Sequence, residues 1–123
     1  MHVSGTFTIT ATPEPPYDEQ GGVTLARTRF DKRFVGPLDA TSVVQMLAAR
    51  TAVQGSAAYV ALERVSGVLD GRRGTFVLQH TGVMKRGASS LTVTVVPDSG
   101  TDGLAGITGK MEIRVDGVEH HYA

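Results

Sequence analysis

Glu63 and His80 are the two side chains of this chain whose types and spacing best suit acid–base chemistry. An imidazole can take and return a proton near neutral pH, and a nearby carboxylate steadies its charged form. Both residues sit in YVALERVSGVLDGRRGTFVLQHTG, residues 59–82, which reads as two long apolar arms around Asp70-Gly71. That dipeptide readily takes the positive φ angles of a two-residue hairpin turn, so the arms are expected to pair antiparallel. If Asp70-Gly71 is the whole turn, Leu69 faces Arg72 and Glu63 faces Leu78; if Gly71-Arg72 is the turn, Glu63 faces His80. Strand side chains alternate with period two, so either register puts Glu63 and His80 on one face. A three-residue turn with a bulge would instead set Glu63 opposite Gln79.

With Phe76, Leu78 and Met84 nearby and that face turned inward, the pair would form an acid–base dyad, and the apolar wall is expected to raise the Glu63 pKa. The plainer reading is a structural hydrogen bond, or solvent exposure of the face. Arg64 and Gln79 fall on the opposite face and read as surface or subunit contacts. Tyr59, Phe76 and Leu78 are the candidate ligand-lining residues of the hairpin. Tyr17 and Glu19, in a long proline-preceded loop, are candidates for a lid over one mouth of the fold, with simple loop anchoring as the alternative. His121 and Tyr122 complete the candidate lining set. Adjacent histidines on a strand point to opposite faces, so His120 and His121 cannot share a site, and no metal centre is expected.

No nucleophile elbow, zinc-binding helix motif or dinucleotide fingerprint occurs, and PDSGTDG lacks the lysine ending and following helix of a phosphate loop. No cofactor is expected. The chain has 123 residues, enough for one domain over 1–123 with its own core. Its 12 basic and 12 acidic residues cancel and are interspersed, which argues against a nucleic-acid or membrane-surface partner. There are no cysteines, so neither disulfides nor thiolate chemistry is available. No apolar run approaches the ~20 residues of a membrane span. MHVSGTFTIT alternates from the start without a basic segment followed by an apolar one, so no export signal is expected and the cytoplasm is the expected compartment.

Strands must position the pair. Val3 to Thr12 alternates, with Val3, Phe7 and Ile9 on one face. Pro13, Pro15 and Pro16 end it, and Tyr17 to Gly22 is too polar and glycine-rich for regular structure. Thr24 to Gly36 is a long strand with charges on both faces, exposed along part of its length or crossing a rim. Ala40 to Gln54 approximates helical spacing but holds β-branched Val43, Val44 and Thr51 between strand neighbours, which favours strand over a short helix. Lys85-Arg86-Gly87 makes a second turn before Leu91, Val93 and Val95. Asp98 to Gly103 is a loop, and Ile107 to Val115 alternates cleanly as one strand, with Asp116-Gly117 turning into a last strand at Val118 to Tyr122. About eight strands without helical crossovers predict an all-β, single antiparallel up-and-down barrel. Such a barrel can hold one small ligand, and Ala57, Ala58, Ala61, Gly67, Gly74 and Gly82 could leave the room for it.

PYDEQGG, ERVSGVLDGRRGTFVLQHTG, VVPDSGTDGLAGITG and the closing His120-His121-Tyr122 together resemble the bacterial domain-of-unknown-function 3224 family over essentially the whole chain. The resemblance implies a β-barrel of about eight antiparallel strands, similar to plant allene oxide cyclase, and implies no reaction. Three function classes follow: a barrel that shelters a small apolar or amphipathic ligand, a cyclase- or isomerase-like enzyme in which Glu63 or His80 moves a proton, and a filled structural barrel. Association into a homo-oligomer is expected.

Overall fold

The computed structural model describes residues 2–116 and 119–122, with side chains described through Arg114. The strands are β1 (Gly5–Pro13), β2 (Asp18–Gln20), β3 (Val23–Val35), β4 (Leu38–Arg50), β5 (Ala57–Leu69), β6 (Arg72–Lys85), β7 (Ala88–Val95), β8 (Lys110–Met111), β9 (Ile113–Asp116) and β10 (Glu119–Tyr122). They form one antiparallel sheet in the order β8-β7-β6-β5-β4-β3-β1-β10-β9, with β2 also on β3. A single 3₁₀ turn, Asp102–Leu104, is the helical element among the described residues. The all-β expectation holds.

Ten labels reduce to eight chain passes. β1 and β2 lie on the same side of β3, and the Glu14 N–H to Arg27 carbonyl and Tyr17 N–H to Leu25 carbonyl bonds, both 3.0 Å, carry the ladder between them. Pro15 and Pro16 have no N–H to donate, which is why the pass breaks there. Tyr17 to Gly22 is therefore not a structureless loop: Asp18–Gln20 pairs with Val23 to Leu25 around Gly21 and Gly22, both at positive φ. The other broken pass is residues 110–116. The strand expected over Ile107 to Val115 starts at Lys110 and is interrupted at Glu112, so that β8 pairs with β7 and β9 with β10. The described ladders run as an open path from β8 to β9 and do not close a ring, although Glu112 joins the two end strands covalently.

The ambiguous fourth segment is a strand from Leu38 to Arg50, for its inward residues Leu38, Ala40 and Val44 are buried while Thr41, Gln45 and Leu47 face out. At the central hairpin Leu69 faces Arg72 and Glu63 faces Leu78, the register of a two-residue Asp70-Gly71 turn. Gly67 meets Gly74 across that hairpin, and each is needed for close approach. A Cβ on Gly67 would lie 2.3 Å from the Asp39 carbonyl oxygen, and one on Gly74 would lie 2.2 Å from that of Thr101. The loop after β7 uses this second space. Thr101 N–H bonds the Thr75 carbonyl at 2.9 Å, Ser99 Oγ accepts from Val77 N–H at 3.0 Å, and Leu104 is buried in the core. The core gathers Phe7, Phe34, Leu38, Val65, Phe76, Leu78 and Val93 on the inner face, with the Phe7 and Phe34 rings 5.4 Å apart.

Candidate functional site

Strand alternation decides which polar residues go inside. On β5 the inward series is Tyr59, Ala61, Glu63, Val65; on β6 it is Phe76, Leu78, His80, Gly82. Glu63 is wholly buried and His80 nearly so. Two more polar residues share that face. Lys32 lies between Phe30 and Phe34 on β3, and Ser42 between Ala40 and Val44 on β4. Lys32 pairs with Ser42, Ser42 with Val65, and His80 with Ala61, so Glu63 is offset by two residues from both Ser42 and His80. Such diagonal neighbours come within reach of long side chains on a pleated sheet. The four residues form a line across four adjacent strands.

Glu63 is its centre. Its Oε1 lies 2.7 Å from His80 Nε2 and 3.3 Å from Lys32 Nζ, while its Oε2 accepts from Ser42 Oγ at 2.5 Å. Lys32 Nζ also sits 4.9 Å from the Phe7 ring centroid and 5.8 Å from that of Phe34, where the ring faces favour a cation. Burial pushes the Glu63 carboxyl up, but the His80 hydrogen bond, the Lys32 charge and the Ser42 hydrogen bond outweigh it and hold the carboxyl below its ordinary range. The expected elevation is thus reversed, because the apolar wall brings a cation with it. A carboxyl so held is an anion and a hydrogen-bond acceptor, and a poor proton donor.

The cluster opens on one side to a cavity of about 360 Å³, lined by Phe7, Phe30, Val44 and Ala61 among others, with Lys32, His80 and Tyr59 as its ionisable members. Tyr59 lies against Gly82, where a Cβ would stand 2.3 Å from the tyrosine Cε1, and burial raises its phenol pKa. Gly82 and Gly74 are accordingly filled by Tyr59 and by the Thr101–Leu104 turn, so the space comes from elsewhere than these two glycines. A second cavity, of about 340 Å³, lies towards the other end of the inner face. Phe76 and Leu78 line it with Leu38, Leu69 and Ile107, and none of the four clustered residues does.

The candidate residues therefore divide. Glu63 and His80 come together, Tyr59 joins His80 at the first cavity, and Phe76 and Leu78 belong to the second. Tyr17 is 60% exposed and borders an outer groove with Glu14, Pro15, Arg27 and Leu47; Glu19 is exposed on β2, and neither lines an inner cavity. The side chains of His121 and Tyr122 lie outside the described residues; their backbone pairs with Thr6 and Gly5 of β1. Arg64 and Gln79 face outward as expected. Lys32 and Ser42 were missed by reasoning from the sequence. The period-two placement of Lys32 between two phenylalanines was the available signal for the first, and Ser42 offered none. Among the described residues, no three His, Asp or Glu side chains gather as a metal site, and no helix is long and apolar enough to cross a membrane.

Fold and site together define a small all-β protein with a charged cluster inside its sheet and an apolar cavity beside it. The chain belongs to the family described as protein of unknown function (DUF3224), whose profile matches residues 3–123. It is similar to the crystal structure of a protein of unknown function from that family in Shewanella oneidensis MR-1, with 49% identity and a TM-score of 0.93 over 98% of this chain and 90% of that one. No curated protein matches. Neither likeness extends to allene oxide cyclase.

Proposed function

We propose that this protein binds a small apolar or amphipathic molecule in the cavity beside Lys32 and His80. The observation that carries the reading is the lining itself: a space of about 360 Å³ with mostly apolar walls and three polar side chains, Lys32, Tyr59 and His80. Binding sites for small molecules have this composition and a volume of ~300–1,000 Å³. A closed barrel is part of the same reading. Residues 110–116 would be its seam, one bent strand that pairs with β7 through its first half and with β10 through its second. The test is a titration with methylnaphthalene of the parent protein and of Ala61→Leu, which fills the cavity from its wall. Saturable binding by the parent and its loss in the folded variant are expected; equal weak binding by both would count against the site.

A second reading, proton transfer during a cyclisation or isomerisation, is favoured by one observation, the 2.7 Å His80–Glu63 contact. In it His80 is the proton carrier and Glu63 the fixed anion that steadies the imidazolium. Turnover lost in His80→Gln with ligand binding kept would separate this reading from plain binding.

Self-association with a second copy is supported by the outer face of the sheet. Leu47 and Val60 face each other there, and both are about half exposed, with Leu62 and Val83 beside them. Sedimentation of the parent and of Val60→Lys is the check, with a smaller species expected for the variant.

A further inference from the structure

The binding reading above leaves open what kind of molecule the cavity takes, and the hydrogen-bonding state of Lys32 and His80 bears on that. Glu63, held as a carboxylate, has no proton to give, yet its Oε1 stands 2.7 Å from His80 Nε2. The hydrogen of that bond therefore sits on Nε2. In the neutral ring, Nδ1 is then an acceptor. No described residue bonds Nδ1, while no buried side-chain nitrogen or oxygen lacks a partner among the described residues. Nδ1 is thus not sealed in, and the space His80 lines is the cavity.

Lys32 supplies the opposite character. An ammonium has three donors, and among the described residues one is taken by Glu63. Lys32 and His80 approach the same Glu63 oxygen, and both line the cavity. Glu63 already balances the Lys32 charge, and the walls around them are apolar.

We propose that the cavity selects an uncharged apolar molecule that bears a hydroxyl, an alcohol or a phenol, whose oxygen accepts from Lys32 Nζ and whose O–H donates to His80 Nδ1. A hydroxyl is a compact group that does both. A carboxylate would meet the His80 lone pair and bring an uncompensated charge beside apolar walls; an ammonium would face Lys32; a hydrocarbon would leave the remaining Lys32 donors and His80 Nδ1 without a ligand partner. Of the ionisable groups near His80 among the described residues, Glu63 of β5 bonds it, Lys32 of β3 bonds the same carboxylate oxygen and Tyr59 of β5 lines the same cavity, while β7 presents Val93 opposite it.

This inference rests on the binding reading, and one set of probes separates the two. Naphthol, methylnaphthalene and naphthoate share a ring system and differ in one substituent. They are titrated by calorimetry into the parent protein and into His80→Phe in one slightly alkaline buffer. Naphthol is expected to bind about tenfold more tightly than methylnaphthalene, the scale of one net hydrogen bond, with naphthoate weakest. His80→Phe should lose that preference while keeping methylnaphthalene. If the variant does not fold, the ranking on the parent protein decides alone. Equal binding of naphthol and methylnaphthalene, or naphthoate binding most tightly, overturns the hydroxyl class and leaves the cavity reading standing. Saturable binding of none of the three overturns both.

Discussion

Lys32 and His80 contact the same oxygen of Glu63, at 3.3 and 2.7 Å, from two strands on opposite sides of the strand that carries it. One buried oxygen thus ties β3, β5 and β6, and Ser42 on the other carboxylate oxygen adds β4. A slip of one residue in any of these ladders would turn a member of the cluster to the outer face. The cluster is consequently tied to the registers of four strands as well as to the chemistry of the cavity.

Breaking the cluster in the middle should cost more than removing it whole. Glu63→Leu leaves the Lys32 ammonium buried against Phe7 and Phe34 without its counter-ion, and losses of ~3–5 kcal/mol are typical for one partner of a buried pair. Replacing Lys32, Glu63 and His80 together by Met, Leu and Phe removes the stranded charge. Urea unfolding is expected to rank the triple variant above the single one in stability, a non-additivity typical of residues in direct contact.

Acid should weaken the protein through Glu63. Its folded pKa lies below the ordinary value of 4.5, so the stabilisation it brings is whole above that value and is lost as pH falls through the folded one. The stability difference between parent and Glu63→Gln, followed by denaturant melts, is expected to be constant near neutrality and to shrink below pH 4.5. A difference that grows on acidification would contradict the assigned direction.

Gly74 is expected to hold the Thr101–Leu104 turn in place. A methyl there would stand 2.2 Å from the Thr101 carbonyl oxygen, a backbone atom that cannot swing aside as a side-chain tip can. Gly74→Ala should therefore lose ~1–3 kcal/mol, the range for overpacking. Hydrogen exchange should show faster exchange of the Thr101 and Leu104 amides, while the β4–β5 ladder keeps its protection.

Much of the site was legible where local rules apply. Asp70-Gly71 signals a hairpin turn, and of the registers it left open the one that puts Glu63 opposite Leu78, and on the His80 face, is found. The inward direction of that face was not legible, because alternation alone leaves both directions open. Lys32 was hidden among charges: Arg27, Arg29, Asp31 and Arg33 lie on one face and Lys32 on the other, which reads as a strand charged on both sides, although Phe30, Lys32 and Phe34 share one inner face. Ser42 reaches Glu63 through a register between strands, which no stretch of sequence carries. Likewise Leu104, set in a polar, glycine-rich stretch, is core because the loop folds back onto β6. The break at Glu112 was masked by an unbroken apolar alternation from Ile107 onward.

The most direct test of the account is the ring nitrogens of His80, followed by nitrogen NMR in labelled protein while naphthol is added at about pH 8. The account predicts a protonated Nε2 that stays bonded to Glu63, and a bare Nδ1 whose resonance moves saturably as the hydroxyl donates to it. A proton already on Nδ1, or a His80 ring unmoved while naphthol binds elsewhere, would contradict it.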